Sequence, residues 1–142
     1  MSLNTLEEIA EYIVSDGKGI LAADESNPTC GKRFDSIGVE STETNRRDYR
    51  EMLFRAAGMK DNIGGVILFD ETIRQSAVDG TPIVELIQTQ GALPGIKVDK
   101  GLAPLDSSPE ESVTQGLDGL DERCKEYFSL GAKFTKWRAV IK

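Results

Sequence analysis

Lysines and aspartates stand inside or at the ends of apolar runs of this sequence, at spacings that could do chemistry. Lys97 and Asp99 are two apart in Gly95-Ile96-Lys97-Val98-Asp99, and Lys136 and Arg138 are two apart in the run from Phe134 to Ile141. Residues i and i+2 of a strand share a face, so each pair points one way. Asp24 ends a third apolar run, Gly19–Ala23, and Asp70-Glu71 end a fourth, Gly64–Phe69. A buried charge is costly unless it is paired or used. Any single pair reads as an internal ion pair of a core. Three strands carrying such charges at similar positions favour a site, with Asp24, Lys97, Asp99, Lys136 and Arg138 converging at one mouth. Several cations beside one or two carboxylates suit a phosphorylated substrate and proton transfer next to a carbonyl. Closely spaced ammonium groups also depress one another's pKa, which frees an amine for Schiff-base formation near neutral pH. Taken alone, these residues describe a lysine-rich site for a sugar phosphate.

What the sequence lacks narrows the chemistry further. Its 142 residues include no histidine, which removes Ser-His-Asp and Cys-His machinery, histidine zinc sites and a histidine general base. Acid–base work falls to Asp, Glu, Lys or Tyr. The two cysteines, Cys30 and Cys124, are too few for a thiolate zinc cage or a disulfide framework and suit a reducing, cytoplasmic location. Seventeen basic against twenty-four acidic residues give a net charge of −7. That balance argues against nucleic-acid or membrane partners, and an anionic substrate then needs a local basic pocket. No apolar run approaches the roughly 20 residues of a membrane span. The opening MSLNTLEEIAEYIV has no basic region ahead of an apolar core, so it does not read as a signal peptide.

The elements that must position these charges alternate in type. A first helix is capped by Asn4 with Glu7 three residues on, and ends at Asp16-Gly17. A strand, Gly19–Ala23, follows. A second helix spans Asn45 to Ala57, with Tyr49, Met52, Leu53 and Ala56 at helical spacing. Next come the strand Gly64–Phe69 and a helix with Pro82 as its first residue. The strand Gly95–Asp99 precedes a helical region opened by Ser108-Pro109, whose apolar stripe is Leu117, Leu120, Cys124 and Tyr127. Phe134–Ile141 is the last strand. Gly64-Gly65 reads as close strand packing, Trp137 as packing against a helix, and Glu110-Glu111 and Asp121-Glu122 as exposed helix faces. With no internal boundary, residues 1–142 form a single domain. Four strands separated by helices spell parallel β-α units. Both a doubly wound sheet and a (β/α)8 barrel satisfy that pattern. Charges at the strand ends favour the barrel, whose sites gather side chains from the C-terminal ends of several strands. A whole barrel needs about 250 residues, so four strands make about half of one.

Six segments carry a resemblance. LAADESNPTCGKRF, NRRDYREMLF, GGVILFDET, GIKVDKG, TQGLDGLDERC and GAKFTKWRAVIK, in that order, resemble class I fructose-bisphosphate aldolase from its start through its fourth barrel strand. The resemblance implies a (β/α)8 TIM barrel and reversible, metal-independent, cofactor-free cleavage of fructose 1,6-bisphosphate. The products are dihydroxyacetone phosphate and glyceraldehyde 3-phosphate, in glycolysis and gluconeogenesis. It assigns Asp24 to orienting the substrate carbonyl and assisting proton transfers, and Lys136 to proton shuttling beside the Schiff-base lysine. Ser26, Thr29, Lys97 and Arg138 match positions around the 6-phosphate. Lys32 and Arg33 match a basic pair lining the same cleft, and Glu25 and Asp99 the surrounding charge network. Thr29 stands where many relatives carry serine and keeps the hydroxyl. A cytoplasmic homo-oligomer, a tetramer, is also implied, with a sugar phosphate as its partner. The same resemblance puts the Schiff-base lysine, the glutamate acid–base groups and the 1-phosphate loop beyond Lys142. The alternatives are an inactive truncated fragment, or a related lysine aldolase acting on another sugar phosphate.

Overall fold

The structure is a computed structural model describing residues 3 and 5–141. Helix α1, Leu6–Ile13, opens with a capping box: the Thr5 hydroxyl accepts from the Glu8 N–H at 3.2 Å and the Glu8 carboxylate accepts from the Thr5 N–H at 3.0 Å. Two otherwise unpaired donors are thereby satisfied. The cap expected at Asn4 lies outside the described residues. Strand β1, Gly19–Ala23, leads into α2, Asn27–Asp35, a helix the hydrophobic pattern does not announce. Its entry is set by Pro28, whose fixed φ suits a first turn.

Helix α3, Glu43–Phe54, is capped by the Thr42 hydroxyl, which accepts from the Asn45 N–H at 3.1 Å. It runs two to three residues earlier than the sequence suggests, and its inward face differs in part from the expected stripe. Arg46, Arg50 and Phe54 recur every four residues and are buried, whereas Met52 is exposed. Then follow α4, Met59–Asn62, β2, Ile63–Leu68, α5, Asp70–Ile73, and α6, Ile83–Thr89, with Pro82 at the cap rather than inside the helix. Strand β3, Leu93–Lys97, sits two residues ahead of its expected position. The region after Ser108-Pro109 is not helical. Strands β4, Leu102–Leu105, and β5, Ser108–Thr114, form an antiparallel hairpin in which Glu110 and Glu111 are both exposed. Pro104 and Pro109 are tolerated there because both strands of a two-stranded ribbon have a free edge. Helix α7 is confined to Leu120–Ser129, leaving Leu117 exposed, and β6 is only Phe134–Lys136.

Strands β1, β2, β3 and β6 pair in that order, and every pairing is parallel. A doubly wound sheet reverses its strand order at a switch point; this one follows the chain without reversal, as a barrel wall does. The register aligns Ala23, Leu68, Ile96 and Thr135 across the sheet and sets Lys97 opposite Lys136. On the outer face Ala23, Val66, Leu68 and Ile96 are fully buried beneath the helices, in one cluster with Phe54, Ile83 and Ile87. Each large apolar side chain buried there stabilises by roughly 1.5–3 kcal/mol. The inner face is shaped by one ring. A Cβ on Gly95 would fall 2.4 Å from Phe134 ring atoms, and one on Gly65 would fall 3.0 Å from them. Gly64 lies equally close to the α1 backbone at Ile13, so the glycine pair serves packing, as the sequence suggests.

Candidate active site

The carboxyl ends of the four parallel strands open into one cleft of about 780 Å³. Asp24 lies one residue past β1, Lys97 is the last residue of β3 and Lys136 the last of β6. Parallel pairing brings these ends to one level. Lys136 Nζ donates to Asp24 Oδ2 at 2.7 Å, joining side chains 112 positions apart. Both are largely shielded, with 32% and 11% of the side-chain surface exposed. Lys97 Nζ donates to Asp99 Oδ1 and to the Asp99 carbonyl, both at 2.8 Å, and the Gly101 N–H donates to the same Oδ1 at 3.2 Å. Burial alone would push the Asp99 carboxyl up; the bonds from Lys97 and Gly101, with the charge of Lys97, outweigh it and hold Asp99 below the ordinary carboxylate range.

Helix α2 supplies one wall. Ser26 occupies its cap position without using its hydroxyl on the backbone, and that oxygen lies 3.1 Å from the Thr29 hydroxyl. Thr29 and Arg33 are four residues apart, hence on one helical face, and both line the cleft. Arg33 pairs with Glu25 and donates to the Tyr49 hydroxyl at 3.0 Å. Lys32, expected beside it, is exposed and does not line the cleft. One residue along a helix is about 100° round its axis. Arg138 lies past β6 rather than on it, and reaches the rim because the Thr114 hydroxyl of the hairpin donates to its carbonyl at 2.6 Å. Seven of the lining residues are Lys or Arg and five are Asp or Glu. An acidic chain has therefore built the local basic pocket an anionic substrate requires.

Several contributors lie outside the five-charge cluster drawn from the sequence, Asp70 among them although it ends an apolar run. Asp70 lines the cleft, accepting from the Tyr127 hydroxyl at 2.9 Å and from Arg74. Burial and then this hydrogen bond push the Tyr127 phenol up. Glu71 turns away and binds Arg46 through two N–H donors, at 2.8 and 2.6 Å. Arg46 thereby holds the Glu71 carboxyl below its ordinary range. Arg123 donates to the Val98 carbonyl at 2.9 Å, fixing the backbone between Lys97 and Asp99. The available signal was the four-residue recurrence of arginine on α3, which marks a buried polar stripe. Cys30 is buried and burial raises its thiol pKa; Cys124 and Trp137 are half-buried against the core. No helix among the described residues is long and apolar enough to cross a membrane.

Charged pairs at the carboxyl ends of a chain-ordered parallel sheet define a (β/α)8-type barrel wall with its site at the expected end. The comparisons carry this to a family. The sequence profile described as "Fructose-bisphosphate aldolase class-I" matches residues 5–142. A "Probable fructose-bisphosphate aldolase class 1" of Xanthomonas axonopodis pv. citri is 55% identical over 141 residues, which is 99% of this chain and 42% of that protein. "Fructose-bisphosphate aldolase 1" of Toxoplasma gondii is 56% identical over 136 residues, 96% of this chain and 38% of that protein. The crystal structure of fructose-bisphosphate aldolase from Plasmodium falciparum, in complex with TRAP and a small-molecule inhibitor, superposes with a TM-score of 0.89. It is 53% identical and covers 92% of this chain and 38% of its own. This chain belongs to the class I fructose-bisphosphate aldolase family. It spans about two fifths of the length of the curated relatives it matches.

Proposed function

We propose that these residues form the N-terminal part of a Schiff-base, metal-independent fructose-1,6-bisphosphate aldolase. The enzyme cleaves its substrate reversibly to dihydroxyacetone phosphate and glyceraldehyde 3-phosphate. The observation that carries the reading is the 2.7 Å bond between Lys136 and Asp24, with Lys97 opposite Lys136 on the next strand. A hydrogen-bonded ammonium and carboxylate at a strand-end mouth can donate and accept protons beside a substrate carbonyl. Asp24 orients that carbonyl and Lys136 shuttles the proton. Lys97, Arg138, Ser26 and Thr29, all lining the cleft, take the 6-phosphate with two charged donors and two hydroxyls. Arg33, with Lys32 further out, adds positive charge at the rim, while Glu25 and Asp99 hold Arg33 and Lys97 in place. Lys97 and Lys136 are each bound to a carboxylate, so neither is assigned as the nucleophile. Residues 1–142 act as part of a single barrel domain in a cytoplasmic homo-oligomer.

The full-length protein should cleave fructose 1,6-bisphosphate with a chelator present. It should also lose activity when borohydride is added together with dihydroxyacetone phosphate, because reduction fixes the imine. Activity that survives this trapping, or that a chelator abolishes, would sink the assignment. Faster cleavage of fructose 1-phosphate would instead favour a related lysine aldolase.

A further inference from the structure

Arg50 is a charged side chain with no exposed surface, yet no carboxylate oxygen approaches it closely. The nearest, on Glu25 and Glu71, lie 3.9 Å away. Glu71 is drawn off by Arg46, which leaves the Arg50 guanidinium for other partners. Its Nε donates to the Ala23 carbonyl at 3.2 Å, and its Nη2 donates to the Glu25 carbonyl and reaches Cys30 Sγ at 3.6 Å. The Phe69 ring packs beside it, 5.9 Å from centroid to guanidinium carbon. The two carbonyls are those immediately before and after Asp24. Sheet pairing of β1 ends at Ala23, so the backbone that carries Asp24 has lost its strand partner, and Arg50 supplies the bonds in its place. A guanidinium is a rigid fork of donors that can span two acceptors; an ammonium is a point charge that cannot hold both in one geometry.

We propose that Arg50 is a positioning residue for Asp24. It clamps the carbonyls on either side and so fixes the direction of the carboxylate toward Lys136. The proposal rests on the reading of Asp24 as the proton-handling carboxylate. A displacement of about 1 Å in such a group can cost on the order of 10²-fold in rate, so a large loss of turnover should follow from a change that never touches substrate.

The test compares kcat and KM for fructose 1,6-bisphosphate in the full-length protein and in Arg50→Lys, Arg50→Gln, Asp24→Asn and the Asp24→Asn/Arg50→Lys double variant. Each is assayed well below its own melting temperature and with trimethylamine oxide, which strengthens burial without supplying the missing bonds. Arg50→Lys and Arg50→Gln should lower kcat about 10²-fold with little change in KM. Arg50→Lys should add almost nothing once Asp24 is already Asn. Turnover restored to the wild-type value when the osmolyte refolds the variant would overturn the proposal. So would losses that multiply in the double variant, since both outcomes make Arg50 a scaffold residue. An Asp24→Asn protein with near-normal turnover would defeat the assignment of Asp24 itself, and this proposal with it, before Arg50 is considered.

Discussion

Each strand-end lysine of the cleft meets its carboxylate by a different route. Lys97 and Asp99 come from one segment and share a local hairpin-like contact, whereas Lys136 and Asp24 meet only because β6 and β1 belong to one sheet. Their environments differ accordingly. The Asp99 side chain is fully buried and fixes its lysine, while the Lys136–Asp24 pair faces the open cleft. Lys97 is thus built to present a fixed charge. Lys97→Ala in the full-length protein should raise KM for fructose 1,6-bisphosphate far more than for fructose 1-phosphate, which lacks the 6-phosphate. The difference should be roughly 1.5–3 kcal/mol, the scale of a hydrogen bond to a charged group. Equal effects on both substrates would remove Lys97 from the phosphate site.

Among the elements, β3 and β6 are tied by the Phe134 ring, which fills the space that Gly65 and Gly95 leave empty. Gly95→Ala should therefore destabilise by roughly 1–3 kcal/mol, the usual cost of overpacking. Phe134→Leu in the same protein should recover part of it. Urea denaturation of the single and double variants measures both, and strictly additive losses would show that the ring is not the obstacle. The four strands were legible because parallel strands are ordinarily buried on both faces and read as short apolar runs. Asp24, Lys97, Asp99 and Lys136 were legible as charges that such runs should not contain. The β4–β5 hairpin was not, since Ser108-Pro109 looks like a helix start and its exposed strands carry no apolar alternation. Helix α3 was placed with its stripe half right: Tyr49 and Leu53 are half-buried, whereas Met52 and Ala56 are exposed and the fully buried positions include Arg46, Arg50 and Phe54. For the same reason Arg50 and the Arg46–Glu71 pair went unseen: their meaning comes from backbone and side chains that only the fold brings near.

At the scale of the molecule, helices cover most of the outer face of the sheet, while the inner face opens on the cleft. Ala22 lines the cleft and Ile20, two residues earlier on the same face, is 43% exposed. Strands β1 and β6 are the free edges of the sheet. Parallel sheets are ordinarily buried on both faces, and an open edge is a template for pairing. The 142-residue polypeptide expressed by itself should associate as its concentration rises, which sedimentation measures. A monodisperse monomer that unfolds cooperatively would contradict this. The same geometry explains why the site is one-sided in these residues: Asp24, Lys97 and Lys136 reach into the cleft from β1, β3 and β6 of a single wall.

The most direct test of the whole account is turnover in full-length Asp24→Ala and Lys136→Ala proteins, with substrate binding measured alongside. If the pair moves protons beside the substrate carbonyl, each replacement should lower kcat by ~10²–10⁴-fold, the range of general acid–base catalysis, while fructose 1,6-bisphosphate still binds. Near-normal turnover in either variant would show that the 2.7 Å contact is only an internal ion pair of the barrel wall.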